Sequence, residues 1–155
     1  MDKNEIRETC LRVMKESEVA VLATVDAEGF PQTRAMVNLR RESQFPDLAD
    51  FFENECGGFT TYFATGASSN KVNQIRSNPK VTVFFCKPMD GLTLGGRIEI
   101  VEDEGIKKRL YQDVWNGYYP QGHEDPEYIV LRLEPFVVRG WFHGNAFEFE
   151  PEDEL

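Results

Sequence analysis

The sequence has few of the side chains that most often carry metal or nucleophilic catalysis. Its 155 residues include two histidines, His123 and His143, and three cysteines, Cys10, Cys56 and Cys86, with no Cys-x-x-Cys pair among them. So small a set of ligands leads us to predict no metal site. An odd number of widely spaced cysteines also argues against a disulfide framework, and it indicates free thiols in a reducing cytosol.

Basic side chains and long apolar runs are also scarce. The chain has 17 Lys and Arg against 27 Asp and Glu, a formal net charge of −10. Proteins that bind nucleic acids or membrane surfaces need clustered Lys and Arg, so we expect neither partner. No apolar run approaches the roughly 20 residues that span a bilayer, and residues 1–5 lack the pattern of a secretory signal. These features predict a cytoplasmic protein.

The acid excess is concentrated late in the chain. Residues 1–100 hold 12 basic and 14 acidic side chains, whereas residues 101–155 hold 5 and 13. We therefore look for a site that binds a small anion in the nearly neutral first 100 residues.

Hydrophobic patterns predict one domain of the α+β class, spanning residues 1–155. The four-residue spacing of Ile6, Cys10 and Met14 predicts an amphipathic helix within residues 1–17. Short apolar or alternating segments separated by turn residues predict strands joined mostly by hairpins, in an antiparallel barrel or curled sheet. The predicted strands are 19–25, 32–39, 59–65, 81–86, 92–101, 128–133 and 135–142, and the longer predicted helices are 4–16, 68–78 and 103–115.

Several details of this pattern are open to test. The unbroken apolar run 19–25 is typical of a strand buried on both faces, and a bulge or bend is expected near Gly95. Cys10 and Cys86 are expected in the core, and Trp141 in the core or a dimer interface. The acidic residues 148–155 are expected to form a frayed tail.

Residues 40–58 form a long connection that contains a short predicted helix within 47–55. Long connections in compact domains are often functional, and this one could lie over a ligand and restrict access to it. Cys56 lies in this connection, and it is the thiol that we would test for reactivity.

The turn from the third predicted strand into the next helix predicts an anion site. Thr65 is followed by a glycine and by a helix start with Ser69 and Lys71, so free amides, hydroxyls and an ammonium group converge. An ordinary capped helix with a solvated lysine is the alternative. Arg34, at the start of an apolar strand, is a second candidate cation, or else a surface arginine paired with a glutamate. The phosphate-binding pattern GxxxxGK[ST] is absent.

Three segments carry a resemblance to a known family. They are VAVLATVDAEGFPQTRAMVNL (19–39), TYFATGASSNKVNQIRSNPKVTVFF (61–85) and LGGRIEIV (94–101). In this order they resemble the pyridoxamine 5′-phosphate oxidase-like family of FMN-binding split barrels. The stretch WNGYYPQGHEDPEYIVLRLEP (115–135) is similar to the bacterial general stress protein branch of that family. The resemblance implies an antiparallel six-stranded split β-barrel with flanking helices.

The resemblance also implies a homodimer with FMN at the subunit interface. One strand would run along the flavin, the helix start would bind its phosphate, and Gln74 would face the flavin. The second subunit would contribute the segment that begins at Trp115. The residues implied in cofactor binding are Arg34, Ala35, Met36, Val37, Phe63, Ala64, Thr65, Ser69, Asn70, Lys71, Gln74, Trp115 and Tyr118.

The chain departs from the family pattern at several positions. Asn70 stands where the oxidases have an arginine, and Tyr118 stands where they have a tryptophan. The oxidases hold their substrate phosphate with a lysine, replaced here by Leu39, and with an Arg-x-His pair whose spacing is absent here. Arg40 and His143 could substitute for them.

The resemblance therefore implies an FMN-dependent oxidoreductase that acts on an unassigned small molecule, with no catalytic residue assigned. The alternatives are a flavin-binding stress or redox protein without turnover, and a split barrel that binds haem or a deazaflavin.

Overall fold

The computed structural model describes residues 1–54 and 58–151. The strands are β1 (Val19–Val25), β2 (Pro31–Val37), β3 (Thr61–Gly66), β4 (Lys80–Lys87), β5 (Asp90–Ile100), β6 (Tyr128–Phe142) and β7 (Asn145–Phe149). The helices are α1 (Lys3–Glu16), α2 (Ala49–Asn54), α3 (Asn70–Ser77) and α4 (Glu104–Leu110). Short 3-10 turns occupy Pro46–Leu48, Asp113–Gly117 and Gly122–Glu124. No helix in the described ranges is long and apolar enough to cross a bilayer.

All strand pairs are antiparallel and run in the order β2-β1-β4-β5-β6-β3, with β7 added alongside β6. This order confirms the α+β split barrel and its six-stranded path. Strand β7 is an addition to the six-stranded barrel that the resemblance implies, and it lies outside the strands predicted from the sequence. It follows a tight turn in which His143 and Gly144 both have positive φ, 47° and 83°, as hairpin turns favour.

Strand β7 also corrects the prediction of a frayed tail. Glu148 and Phe149 pair with β6, and the Phe149 ring meets the Phe59 ring with centroids 5.7 Å apart. The prediction followed the acidic composition of this segment and missed that Phe147 and Phe149 alternate with Ala146 and Glu148. Residues 152–155 lie outside the described residues.

The expected irregularity at Gly95 is present, and it explains why two predicted strands form one. Strand β6 is continuous from Tyr128 to Phe142, and its register against β5 shifts between Gly95 and Gly96. Val137 pairs with Gly95 and Pro135 with Gly96, so Phe136 is the extra residue of a β-bulge. Proline has no N–H for the ladder, which suits it to this bulge.

Strand β1 is buried on one face only, contrary to the expectation that both faces are covered. Ala20, Leu22 and Thr24 are fully buried, whereas Val19 is 44% exposed. The β1, β2, β4, β5 and β6 registers place further apolar side chains on the same exposed side. We call this surface the outer face: Val19, Val21, Ala35, Val37, Phe84 and Trp141.

Two cysteine predictions have different outcomes. Cys10 is fully buried, which confirms the prediction, and burial raises the pKa of its thiol to about 12. Cys86 is exposed instead of buried, because Val81, Val83 and Phe85 take the inward positions of β4. Trp141 is 54% exposed, so it lies outside the core.

The core has two parts. The larger part lies between α1, α3 and the inner face of the sheet. The smaller part lies under α2, where Leu48, Phe51 and Phe52 pack with Tyr62 and Tyr128. The described part of the long connection 40–58 therefore contributes side chains to the core. Cys56, the thiol singled out in that connection, lies outside the described residues.

Helix α4 ends at Leu110, five residues before the predicted end at Trp115. Tyr111 adopts an extended backbone, and its ring packs edge-on against Tyr128 with centroids 5.1 Å apart. Aromatic packing against a distant strand thus overrides the helical periodicity of this segment.

Candidate functional site

The two predicted cations come together at the ends of the sheet. Strands β2 and β3 terminate the strand order, and α3 follows β3 directly. Arg34 pairs with the buried Leu22, so its side chain points to the inner side of β2. Lys71 lies in the first turn of α3. The strand ends and the helix start thus bring the two cations from distant parts of the sequence to one place.

The Arg34 guanidinium is held by a set of hydrogen bonds. Its Nη1 donates to Thr24 Oγ1 at 2.7 Å and to the Gln32 carbonyl at 3.1 Å, and its Nη2 donates to Gln74 Oε1 at 3.4 Å. Thr24 is fully buried, and it was absent from the set of residues predicted from the sequence. Its hydroxyl faces inward by the alternation of β1, but its partner on β2 could be known only from the strand register.

Lys71 is in a partly buried, electropositive environment. Its Nζ donates to Thr65 Oγ1 at 3.1 Å. Burial and the neighbouring Arg34 charge together lower the pKa of Lys71, and burial lowers the pKa of Arg34. Among the described residues, no carboxylate forms a salt bridge with either cation. Two close, partly desolvated cations without a counter-ion are unfavourable by themselves and favour the binding of an anion.

Ser69 supplies a donor that lacks an acceptor. It is the N-cap of α3 with extended backbone, but its side chain makes no capping hydrogen bond. Its Oγ is buried and has no partner among the described residues. Buried polar atoms are almost always paired, so this hydroxyl indicates a missing acceptor at the helix start. A phosphate fits this position, because it accepts hydrogen bonds and carries the negative charge that would balance Arg34 and Lys71.

Ser68, which precedes the N-cap residue Ser69, has a different partner. Its backbone N donates to Glu127 Oε1 at 2.9 Å, and its hydroxyl donates to the same oxygen. These hydrogen bonds lower the pKa of Glu127. The sequence offered no signal for this contact, because the two residues are 59 positions apart.

The other predicted residues of β2 and β3 divide between core and surface. Met36 and Phe63 are buried in the larger core, so their side chains are committed to packing. Ala35 and Val37 belong to the outer face, and Ala64 is half-buried beside the smaller core. Among the described residues, β2 pairs with β1 alone, so the backbone groups on its other edge have no strand partner there.

Asn70, Trp115 and Tyr118 are peripheral to the paired cations. Asn70 is exposed at the first position of α3, and Tyr118 is 79% exposed. Trp115 packs edge-on against Tyr111 at 5.8 Å between centroids. Within residues 1–54 and 58–151, no hydrogen bond or ring contact joins Trp115 or Tyr118 to the two cations.

The alternative phosphate pair, Arg40 and His143, is not assembled. Arg40 is buried, and its guanidinium donates to the Gly58 carbonyl at 2.8 Å and to the Thr60 carbonyl. His143 is in the β6–β7 turn, with its Nε2 3.4 Å from Asp90. Arg40 therefore anchors the chain before β3 rather than facing a ligand.

Three comparisons with known proteins indicate the same family. The family model described as pyridoxamine 5′-phosphate oxidase matches residues 6–142. General stress protein 26 of Bacillus subtilis (strain 168) is 24% identical over 144 residues, which cover 90% of each chain. A Clostridium acetobutylicum structure, of a protein related to general stress protein 26, superimposes with a TM-score of 0.74 at 24% identity, covering 97% of this chain and 96% of that one.

Two further structures share the fold at lower identity. An FMN-binding, pyridoxamine 5′-phosphate oxidase-related protein from Nostoc punctiforme has a TM-score of 0.65 at 15% identity, covering 97% of this chain and 91% of that chain. A haem-binding protein from Mycobacterium smegmatis has a TM-score of 0.70 at 16% identity, covering 94% of this chain and 58% of that chain. At these identities the comparison shows the fold alone.

Replacing Lys71 tests whether the paired cations form a binding site or a structural contact. We expect the ligand-free Lys71→Met protein to melt at a higher temperature than the wild type at neutral pH, because the change removes a desolvated charge that faces Arg34. Because the pKa of Lys71 is lower in the folded state, the unfolded state binds the ammonium proton more tightly. The stability of the wild type therefore rises as the pH increases through the folded-state pKa of Lys71. The difference in melting temperature between the two proteins should therefore shrink at alkaline pH.

Inorganic phosphate serves as the anion probe for the same variant. We expect phosphate, compared with chloride at equal ionic strength, to raise the melting temperature of the wild type but not that of Lys71→Met. The exposed Lys80, changed to methionine, is the matched control and should behave like the wild type in both measurements. A Lys71→Met protein that melts below the wild type would identify Lys71 as a structural residue.

Proposed function

The chain belongs to the pyridoxamine 5′-phosphate oxidase family, and we propose that it is an FMN-binding flavoprotein that acts as an FMN-dependent oxidoreductase on a small molecule. The observation that carries this proposal is the arrangement of Arg34, Lys71 and the Ser69 hydroxyl. Two partly buried cations without a described salt-bridge partner stand beside a buried hydroxyl without an acceptor. The phosphate of FMN would supply both the charge and the acceptor.

The site suits a phosphate monoester in particular. Such a group carries a charge between −1 and −2 near neutral pH, which two cations can balance. Arg34 would offer its guanidinium donors and Lys71 its ammonium group, and both bonds would be charge-assisted. Asn70, which stands in the place of a family arginine, would add a neutral contact only.

The rest of the cofactor would lie along the open edge of β2. Residues 34–37 pair with β1 along one edge, their other edge has no described strand partner, and β3 ends nearby at Thr65 and Gly66. When bound, FMN would supply the electron-transfer chemistry, and the protein would bind and orient it. The scarcity of histidine and reactive cysteine is therefore compatible with an oxidoreductase.

The substrate of the vitamin-processing oxidases does not fit the described residues. Leu39, in the place of their lysine, is buried, and Arg40 is committed to backbone carbonyls. Arg139 is 3.2 Å from Glu148 across the β6–β7 ladder. With no free cation at these positions, the chain is assigned to the general stress protein branch with a different substrate. The free thiols of Cys10 and Cys86 agree with a reducing cytosol, where we place the protein.

Binding of FMN is tested first on protein purified from its own host. We expect a flavin absorption spectrum, and mass spectrometry of the released ligand should identify FMN. Arg34→Ala and Lys71→Ala should each weaken FMN binding at least about tenfold, because each removes a charged hydrogen bond to phosphate.

Arg76→Ala is the matched control for these variants, because Arg76 is exposed in the last turn of α3. Its FMN affinity should equal that of the wild type. Haem or a deazaflavin as the released ligand, or full FMN retention in both variants at the site, would overturn the assignment.

Turnover distinguishes an enzyme from a flavin-binding stress or redox protein. We expect the FMN-loaded protein to oxidise reduced nicotinamide cofactor faster than an equal concentration of free FMN. Pyridoxine 5′-phosphate should yield no product, because the residues that would hold its phosphate are absent. A rate equal to that of free FMN would contradict the enzymatic part of the proposal and leave a non-catalytic flavoprotein.

We also propose a homodimer formed through the outer face. Val37 and Phe84 are 47% and 41% exposed there. At the centre of the outer face, Ala35 of β2, Val21 of β1 and Phe84 of β4 are neighbours across the strands, and no charged side chain is described between them. An extended exposed apolar sheet face is typical of a protein–protein interface. In this arrangement Trp115 and Tyr118 of one subunit would complete the cofactor site of the other.

A charge in the centre of the outer face tests the dimer. We expect Phe84→Glu to shift the protein from dimer to monomer in analytical ultracentrifugation, because the interface would bury an unpaired carboxylate. FMN affinity should fall as well, since each site would lose the partner's aromatic side chains. Met89→Glu is the control and should remain dimeric, because Met89 is 86% exposed in the turn between β4 and β5. A wild-type monomer would contradict the proposal.

A further inference from the structure

The Arg34 guanidinium is held in place by two residues on two other elements. Thr24 belongs to β1 and Gln74 to α3, whereas Arg34 belongs to β2. We propose that Thr24 and Gln74 are positioning residues, which fix Arg34 so that it meets the phosphate of the ligand. This inference rests on the proposed function, and it gives Gln74 a role that acts through Arg34.

The direction of each hydrogen bond follows from the chemistry of the groups. An arginine guanidinium has donors only, so Thr24 Oγ1 must accept the 2.7 Å hydrogen bond from Arg34 Nη1. The single hydroxyl proton of Thr24 is then free to donate to Gln74 Oε1 at 2.5 Å. Gln74 Oε1 also accepts from Arg34 Nη2 at 3.4 Å. The three side chains therefore form a closed set in which no donor faces a donor.

This set fixes the orientation of the Gln74 carboxamide. Both neighbours of its oxygen are donors, so the oxygen must face Thr24 and Arg34. The Gln74 NH2 group has no partner among the described residues. It is left as a donor on the opposite side of the carboxamide, where a bound ligand could accept from it.

The need for such an anchor comes from the charge of Lys71. The two cations repel each other, as the effect of Arg34 on the pKa of Lys71 shows. An arginine has several rotatable bonds, and without an anchor the repulsion would favour conformers that turn into solvent. Thr24 is fully buried and belongs to a central strand of the sheet, so it offers a fixed point. Holding Arg34 before the ligand arrives reduces the ordering cost of binding.

The hairpin backbone supports the same arrangement. Thr24 pairs with Gln32 in the β1–β2 register, and the Gln32 carbonyl accepts from Arg34 Nη1 at 3.1 Å. The Leu22 carbonyl accepts from the same nitrogen at 3.3 Å. These backbone acceptors remain in any side-chain variant, so removal of the Thr24 hydroxyl should loosen Arg34 without releasing it completely.

The test compares the binding of FMN and of riboflavin, which lacks the phosphate, to the full-length protein. Thr24→Val is nearly isosteric and removes the hydroxyl. We expect it to weaken FMN binding about tenfold and to leave riboflavin binding unchanged, because only the phosphate contact depends on Arg34. Thr24→Ser restores the hydroxyl and should restore the wild-type ratio of FMN to riboflavin affinity.

A double-mutant cycle separates positioning from a general effect on the fold. In an Arg34→Ala background, Thr24→Val should cause no further loss of FMN affinity, because the group that it positions is already gone. Equal losses in both backgrounds, or equal losses for FMN and riboflavin, would overturn the inference. Gln74→Met, on the partly exposed surface of α3, should also weaken FMN binding, and the part of its loss that acts through Arg34 should disappear in the Arg34→Ala background.

The phosphate site and the positioning role of Thr24 predict different results. A wild-type protein that binds FMN no better than riboflavin would contradict the proposed phosphate site itself. A wild-type preference for FMN that Thr24→Val leaves intact would contradict only the positioning role of Thr24.

Discussion

The bend in strand β6 is the constraint on which the rest of the fold depends. This strand pairs with β3 along its first half, with β7 along its second half and with β5 over most of its length. Such a course requires the bulge at Phe136 opposite Gly95 and Gly96. A Cβ on Gly95 would stand 2.9 Å from a Val137 methyl group, so any larger residue at Gly95 would force the Val137 side chain to shift at the bend. The curled sheet that results leaves β2 and β3 as its two ends.

The position of these ends brings together the two cations that we propose bind a charged ligand. A residue in the middle of the sheet has neighbours on both sides, whereas Arg34 and Lys71 lie where the sheet stops and a helix begins. There they are partly shielded from water, which strengthens both their mutual repulsion and their attraction for an anion. The same open ends expose backbone donors and acceptors of β2. The proposed ligand site and the incomplete closure of the barrel are thus one structural feature.

Local sequence signals predicted most of the fold, and long-range contacts account for what they missed. The spacing of Ile6, Cys10 and Met14 located α1, and most strands were found within a few residues, because apolar periodicity reports burial directly. The end of α4 was wrong because Tyr111 turns to meet a strand that follows later. For the site, the sequence and the resemblance indicated the two cations, but the contacts of Thr24 and Glu127 depend on strand register and turn packing, which residue patterns do not specify.

The placement of the acidic side chains leaves Arg34 and Lys71 without a described salt-bridge partner. In a chain with ten more acidic than basic side chains, a partly buried cation would be expected to find a carboxylate. Two other arginines do so: Arg109 meets Asp50 at 2.8 Å, and Arg132 meets Glu99 at 2.9 Å. Near the start of α3 the available acid, Glu127, is turned toward Ser68 instead. The two cations are therefore left unbalanced by the placement of acids away from them rather than by an excess of cations, which is how a net negative protein could bind the one phosphate that we propose.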